Sequence, residues 1–160
     1  MTGPPTPESL MRLALGLARE ALSDGEVPVG AVVVDASGKV LGEGRNRAEH
    51  GLPFQHAEME ALSAALRKRD RWSLGGSTLY ATAEPCFMCL GAMVLARIGG
   101  LVYACPEPRF GGVAVLQALW KEGRYPHRFP VQSGLMEGEA RALLQGFFRQ
   151  RRLAGEAEVL

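Results

Sequence analysis

Two short motifs that carry metal-binding residue types constrain this chain more than any other feature of its sequence. The first is His-Ala-Glu at residues 56–58, and the second is Pro-Cys-Phe-Met-Cys at residues 85–89. Each falls at the start of a predicted helix, and a predicted strand lies between the two helices. Cys86 and Cys89 are three residues apart, so they share one face of a helix. The helix dipole and the free N–H groups favour thiolates at such a position.

His56, Cys86 and Cys89 together supply three ligands of the kinds that zinc prefers. Because zinc takes about four ligands, three from the protein leave one position for water, as in a catalytic site. Zinc lowers the pKa of that water from about 15.7 to roughly 7, which produces hydroxide at neutral pH. Glu58, two residues beyond His56, can move protons without ligating the metal. We therefore predict one zinc ion per chain and a hydrolytic reaction.

Other interpretations of the cysteines stay open on the residues alone. A Cys-x-x-Cys pair also occurs in redox proteins, and a structural zinc site takes a fourth protein ligand. Cys105 or His127 could be that ligand, although neither has the spacing typical of one. Taken together, however, the two motifs match the H-x-E and P-C-x-x-C signature of zinc deaminases, which favours the catalytic interpretation.

Apolar periodicity predicts alternating helices and strands, which indicate a layered α/β domain. Helices are predicted for residues 9–22, 56–69, 85–97, 113–120 and 137–152, with Ser9 as the first cap. Strands are predicted for residues 29–35, 40–43, 77–83, 101–104 and 129–132. The 160 residues are predicted to form one domain over residues 9–153, with tails at residues 1–8 and 154–160.

Charge and hydropathy exclude some functions and leave others open. The net charge of +1 argues neither for nor against binding to nucleic acid. No stretch reaches the roughly 20 apolar residues of a membrane span, and the N-terminus lacks signal-peptide features, so we expect a cytoplasmic protein without membrane contact. Two basic clusters could contact phosphates or could complement helix C-termini. They are Arg67, Lys68, Arg69 and Arg71, and Arg141, Arg149, Arg151 and Arg152.

Further stretches carry a family resemblance over residues 10–153. They are Glu-Val-Pro-Val-Gly-Ala-Val-Val at 26–33, Gly-Glu-Gly-Arg-Asn at 42–46, Thr-Leu-Tyr at 78–80, Gly-Ala-Met at 91–93, Arg-Ile-Gly at 97–99 and Gly-Phe-Phe-Arg-Gln-Arg-Arg at 146–152. With the two metal motifs, they resemble the cytidine and deoxycytidylate deaminase superfamily. Within it, the chain is similar to the bacterial tRNA-specific adenosine deaminases, and the Phe-Phe pair followed by arginines is the more specific part of that likeness.

This resemblance implies a three-layer α/β/α fold, with a central mixed sheet of about five strands and helices on both faces. It implies a homodimer that binds the anticodon stem-loop of a transfer RNA and converts the wobble adenosine to inosine. By the same resemblance, Val29 lies in the segment that lines the base pocket, and Asn46 hydrogen-bonds the target base. An amide suits that role because it both donates and accepts hydrogen bonds.

The resemblance also indicates where the chain departs from its family. Glu107 and Arg109 lie in a segment that touches the nucleotide, where the family usually carries an Asp-Pro-Lys-like sequence. This departure leaves the substrate open. At the other end of the chain, Arg149, Arg151 and Arg152 are candidate contacts to the RNA backbone, provided that the Phe-Phe pair anchors the last helix and leaves them projecting.

A deaminase of free bases or nucleosides, such as guanine, cytosine or cytidine, is the main alternative function. It shares the zinc chemistry but can close over its substrate, whereas an RNA enzyme needs an open groove bordered by cations. A binding module without catalysis is the third possibility. Glu58 argues against that module, because a structural zinc site needs no proton shuttle.

Overall fold

The computed structural model describes residues 3–69 and 72–155, and these form five helices and five strands. The helices are α1 (Pro7–Ser23), α2 (Ala57–Lys68), α3 (Phe87–Leu95), α4 (Val113–Lys121) and α5 (Glu137–Leu153). The strands are β1 (Gly30–Val34), β2 (Val40–Arg45), β3 (Thr78–Ala83), β4 (Gly100–Cys105) and β5 (Val131–Ser133). All the predicted elements are present in the predicted order. None of the described helices is long and apolar enough to cross a membrane.

The five strands form one mixed sheet in the order β2-β1-β3-β4-β5. Strand β1 pairs antiparallel with both β2 and β3, whereas β3 with β4 and β4 with β5 are parallel. Helices α1 and α5 bury their apolar residues against one face of the sheet, and α2, α3 and α4 against the other. This arrangement confirms the predicted three-layer α/β/α fold.

Helix α2 approaches β2 very closely because glycines face it. A Cβ atom on Gly44 would lie only 2.1 Å from the carbonyl oxygen of Ala57, and one on Gly42 only 2.2 Å from that of Ala61. Any larger residue at either position would push the helix away, and overpacking of this kind typically costs about 1–3 kcal/mol. The two glycines therefore set the height of the α2 N-terminus above the sheet, where the His-Ala-Glu motif lies.

Helix α1 begins two residues earlier than predicted. Thr6, not Ser9, is the N-cap, and its Oγ1 accepts a hydrogen bond of 3.1 Å from the Ser9 N–H. Pro7 occupies the first helical position, where a missing N–H costs nothing. The predicted tail at residues 1–8 was therefore wrong for its last two residues. Residues 1, 2 and 156–160, which belong to the predicted tails, lie outside the described residues.

Two other elements also start two residues away from the predicted position. Helix α3 begins after Cys86, not at Pro85, because Cys86 is extended and forms an antiparallel bridge with Gly111. Strand β5 begins at Val131, although it was predicted from Phe129. Phe129 turns into the core instead, where its ring meets that of Trp120 edge-on at 5.1 Å.

Candidate active site

His56 is the N-cap of α2, and its extended backbone (φ −82°, ψ 153°) turns the chain into the helix. Its side chain makes no capping hydrogen bond, so the imidazole is available for another role. Its carbonyl oxygen accepts the first helical hydrogen bond, of 3.1 Å, from the Glu60 N–H. Glu58, in the first turn, is only 4% exposed. The prediction that this motif opens a helix is confirmed.

Cys86 and Cys89 occupy the corresponding place on α3. Cys86 is the N-cap, and Cys89 lies buried in the first turn. Strand β3 ends at Ala83, directly before this helix. Because β1 runs antiparallel to β3 and to β2, the end of β3, the start of β1 and the end of β2 share one edge of the sheet. The two motifs therefore meet at that edge.

The three donor atoms have the spacing of a tetrahedral zinc site. His56 Nδ1 lies 3.4 Å from Cys86 Sγ and 3.6 Å from Cys89 Sγ, and the two sulfurs are 3.7 Å apart. Ordinary zinc–nitrogen and zinc–sulfur bonds at tetrahedral angles put such atoms roughly 3.5 and 3.8 Å apart. Within residues 3–69 and 72–155, this is the one group of at least three such side chains that could hold a metal ion. His56, Cys86 and Cys89 thus form a possible zinc site.

The protonation of these groups reflects their contact with one another. A hydrogen bond from Cys89 lowers the pKa of Cys86 to about 4, aided by His56 and opposed by burial. The same bond, and then burial, raises the pKa of Cys89. The hydrogen bond to Cys86 raises the pKa of His56 against the effect of burial. A metal ion bound by these three groups would displace any protons that they carry.

The two residues considered as a fourth protein ligand lie elsewhere. The Cys105 thiol is buried and donates to the Thr82 carbonyl oxygen at 3.4 Å. The ring of His127 hydrogen-bonds the Ile98 carbonyl oxygen at 2.7 Å through Nε2. Neither belongs to the metal group. With three protein ligands, the site has the composition of a catalytic zinc centre.

Asn46 and Val29 lie together at the same edge of the sheet. The Asn46 N–H donates to the Val29 carbonyl oxygen at 3.1 Å, just beyond the last β1–β2 pair. Asn46 is 7% exposed. The Gly30 N–H donates to Thr82 Oγ1 at 3.1 Å, which ties this corner to the strand that leads into the cysteines. Two predicted substrate residues are thus placed beside each other at the metal end of the fold.

A carboxylate that the sequence interpretation missed holds the segment with Glu107 and Arg109. Glu84 accepts hydrogen bonds from the Glu107 N–H at 3.3 Å and from the Val113 N–H at 3.2 Å. The Gly112 N–H donates to the Pro85 carbonyl oxygen at 3.0 Å. Residues 106–112, here called the 106–112 loop, are therefore fastened beside the cysteines. The sequence did carry one signal for Glu84, namely its position as an acidic residue between a buried strand and the metal motif.

Glu26 anchors the loop that leads into His56, and sequence interpretation also missed this role. Its side chain is 3% exposed and accepts hydrogen bonds from the N–H groups of Glu49 at 2.8 Å and His50 at 2.9 Å. His50 Nδ1 lies 2.9 Å from the same carboxylate. Burial alone would raise the pKa of Glu26, but these hydrogen bonds outweigh it and lower the pKa. Residues 46–55, here called the 46–55 loop, are held by an ionised internal group.

The arginines of the last helix do not all project. Arg149 and Arg152 are exposed, as expected. Arg151 instead pairs with Glu49, at 2.7 Å from Nη2 to Oε2 and 3.2 Å from Nη1 to Oε1. The prediction that all three arginines extend freely from the helix was therefore wrong for Arg151, because an acid of the 46–55 loop lies within its reach.

Two residues of the other basic cluster, the one at the end of α2, also form contacts within the protein. Arg69 donates to Ser77 Oγ at 2.6 Å, and Lys68 to the Val40 carbonyl oxygen at 3.4 Å. Residue 71, the last arginine of that cluster, lies outside the described residues. These contacts favour a structural role for the end of α2.

The proteins similar to this chain include several named as deaminases. A model of the cytidine and deoxycytidylate deaminase zinc-binding region matches residues 4–105. A tRNA-specific adenosine deaminase of Streptococcus pyogenes serotype M1 is 39% identical over 143 residues, which cover 89% of this chain and 83% of the relative. A solved structure from a study of A-to-I editing by tRNA:A34 deaminases at the wobble position is 36% identical, with a TM-score of 0.77. It covers 84% of this chain and 98% of its own.

A second group of solved structures is also similar. A guanine deaminase from Nitrosomonas europaea is 28% identical, with a TM-score of 0.71, over 91% of this chain and 86% of its own. The same fold therefore occurs in a protein named for a nucleic acid substrate and in one named for a free base.

We expect purified protein to contain about one zinc per chain and Cys86→Ala to lose it, since two remaining ligands bind zinc poorly. Cys105→Ala is the matched control, because that thiol is buried away from the metal group and its loss should leave zinc in place. Metal content after dialysis against a chelator measures both. A full equivalent of tightly bound zinc in Cys86→Ala would contradict the ligand assignment.

Proposed function

The chain belongs to the cytidine and deoxycytidylate deaminase zinc-binding family, and from this premise we propose that it converts adenosine to inosine in RNA, at the wobble position of a transfer RNA anticodon. The observation that carries the proposal is the 39% identity to a tRNA-specific adenosine deaminase across 89% of the chain, together with the three metal ligands and the buried Glu58. A cytoplasmic location belongs to the same proposal. Three free thiols fit a reducing compartment.

Glu58 is the proposed proton shuttle. When bound, zinc supplies Lewis acidity that makes water a nucleophile near neutral pH. Glu58 Oε2 lies 3.7 Å from Cys89 Sγ, so its carboxylate borders the metal group without joining it. Burial raises the pKa of Glu58, mainly because a charged carboxylate is poorly solvated there. A raised pKa suits a group that must both take up a proton from water and return it to the leaving ammonia.

Asn46 and Val29 are the proposed contacts to the target base. The N–H of Asn46 is used by the Val29 carbonyl, which fixes the position of the residue and leaves its side-chain amide to read a base edge. Glu107 and Arg109 lie on the opposite side, in the 106–112 loop that Glu84 holds beside the cysteines. We propose that this loop contacts the nucleotide that carries the base.

A polynucleotide substrate is favoured over a free base by two observations. The relative named for transfer RNA is 39% identical, whereas the guanine deaminase neighbour is 28% identical. Arg149 and Arg152 are exposed at the end of α5, where they can reach phosphates. Arg109, also exposed, borders the site on its other side. Guanine deamination is the second candidate, supported by the structural neighbour.

We also propose that the protein is a homodimer that uses α3. The nine residues of this helix, Phe-Met-Cys-Leu-Gly-Ala-Met-Val-Leu, include no charged or hydrogen-bonding polar side chain apart from the thiol. Phe87, Met88 and Leu95 are nevertheless exposed, Leu95 to 82%. A helix that is apolar on every side is normally buried on every side. A second copy presenting the same face would bury this one, since two-fold interfaces are self-complementary.

A substrate panel tests the proposed function. Zinc-loaded protein should convert an anticodon stem-loop RNA with adenosine at the wobble position to inosine, and should leave free guanine, cytidine and adenosine unchanged. Glu58→Gln should keep its zinc and lose about 100- to 10,000-fold in rate, the usual contribution of an acid–base group. Glu60→Gln, on the same helix, is the matched control. Turnover of guanine alone would support the second candidate, and a loss below about tenfold in Glu58→Gln would contradict the shuttle.

The exposed arginines give a prediction about salt. If Arg149 and Arg152 contact phosphates of a single strand, the double Arg→Gln variant should flatten the slope of log affinity against log salt by about 1.4. Arg12→Gln with Arg19→Gln on α1 removes the same charge elsewhere and should change the slope much less. Fluorescence anisotropy with the stem-loop from low to moderate salt measures both. An equal change in the two variants would mean that only net charge matters.

If α3 forms the homodimer interface, a charged residue on this helix should disrupt the dimer. Leu95→Lys should yield a monomer, because a lysine at the centre of an apolar contact loses its hydration. Leu13→Lys on α1 is the control, since Leu13 is also an exposed leucine but lies on another helix. Light scattering coupled to size-exclusion chromatography gives the mass of each. A monomeric native protein, or a dimeric Leu95→Lys, would show that α3 is not the interface.

A further inference from the structure

The metal site lies between two loops that are fastened to the fold by different elements. The 46–55 loop begins at Asn46 and leads directly into His56. The 106–112 loop bridges to Cys86 through Gly111. On the proposed function, the nucleotide would enter between these loops, so their separation would affect which substrate fits.

Arg151 of α5 forms an ion pair with the first of these loops. Its two terminal nitrogens contact both carboxylate oxygens of Glu49, at 2.7 and 3.2 Å, in the paired geometry that distinguishes strong arginine–carboxylate contacts. The same guanidinium lies 4.6 Å above the ring of Phe147, which is buried in the domain. The two charged side chains are only 30% and 35% exposed. The pair is therefore less open to solvent than a typical surface ion pair, and two hydrogen bonds orient it.

Glu26 holds the same residue of the loop from the inside. Its buried carboxylate accepts the N–H of Glu49 at 2.8 Å, while the side chain of Glu49 points outward to Arg151. The His50 N–H adds a second bond of 2.9 Å to Glu26. Glu49 is thus held by its backbone to Glu26, in the connection between α1 and β1, and by its side chain to α5.

The end of α5 contacts the second loop as well. The Arg109 guanidinium of the 106–112 loop lies 5.8 Å from the ring centre of Phe148. The rings of Phe148 and Phe147 pack edge-on with their centres 5.3 Å apart, and the Arg151 guanidinium lies over the Phe147 ring. A continuous series of contacts therefore joins the two loops through one helical turn of α5.

We propose that Arg151 is a positioning residue: by holding Glu49, it fixes the 46–55 loop against α5 and so sets the width of the entrance to the metal site. This inference rests on the proposed function for its substrate, an RNA stem-loop. It assigns Arg151 a different role from Arg149 and Arg152, which are exposed on the same turn. Its partner is an acid of its own chain, not a phosphate.

The two roles of Arg151 predict opposite effects of a change at Glu49. If Arg151 binds phosphate, Glu49 competes with the RNA for it, and Glu49→Gln should strengthen RNA binding. If Arg151 positions the loop, Glu49→Gln should lower kcat as much as Arg151→Gln does. The sign of one substitution therefore separates the roles.

A double-mutant cycle makes this test. Glu49→Gln and Arg151→Gln should each lower kcat on the stem-loop by about three- to tenfold, and the double variant should be no worse than either. The salt slope of RNA binding should stay unchanged in all three, because no phosphate contact is lost. The exchanged pair, Glu49→Arg with Arg151→Glu, should recover part of the activity. Arg141→Gln, which breaks the Glu137 pair on the same helix, is the control and should have no effect.

Hydrogen exchange of residues 47–55 gives a readout that does not depend on the substrate. Arg151→Gln should speed exchange of the Glu49 and His50 amides by about three- to tenfold with zinc content and melting temperature retained, whereas Arg141→Gln should not. Unchanged exchange, additive losses of kcat, or stronger RNA binding by Glu49→Gln would each overturn the proposal. If the native protein deaminates no RNA, the proposed function fails, and the exchange measurement still decides whether Arg151 positions the loop.

Discussion

The site depends on bringing two helix N-termini to one edge of the sheet closely enough for three donor atoms to lie within 3.7 Å of one another. One helix reaches this place because Gly42 and Gly44 let it lie against β2. The other follows directly from β3, next to the strand that pairs with β2. A shift of either helix by one ångström would separate the sulfurs from the imidazole. The packing of the sheet face with α2 and α3 is therefore a condition for metal binding, not only for stability.

Most of the fold and the metal group could be predicted from the sequence, because the relevant signals are local. Alternation of apolar runs with Gly and Pro gave all ten elements in order, and the spacing within each motif identified His56, Cys86 and Cys89. Asn46 and Val29, identified through family resemblance, lie side by side in the structure. The element starts were less accurate. The bridge between Cys86 and Gly111 delays α3, and such a contact between distant residues leaves no periodic trace.

The roles that sequence interpretation missed depend on contacts between distant parts of the chain. Glu26 binds amides more than twenty positions away, and Glu84 does the same for the 106–112 loop. Arg151 and Glu49 are separated by 102 positions. In the sequence, each is one charged residue among many, and its neighbours do not identify its partner, although the position of Glu84 beside the metal motif was a signal. Only the burial of Glu26 and the short distance from Arg151 to Glu49 distinguish these groups from solvated surface charges.

Glu26 and Glu84 share a feature with consequences for how such a protein can change over evolutionary time. Both carboxylates hold their loops mainly by main-chain N–H groups, which almost every amino acid possesses. A loop anchored in this way keeps its path when its side chains are replaced. Replacement of Glu107 or Arg109 can then alter what the loop contacts while the cysteines beside it stay in place. Chemistry and recognition become separately adjustable, in keeping with the same fold in a protein named for transfer RNA and in one named for guanine.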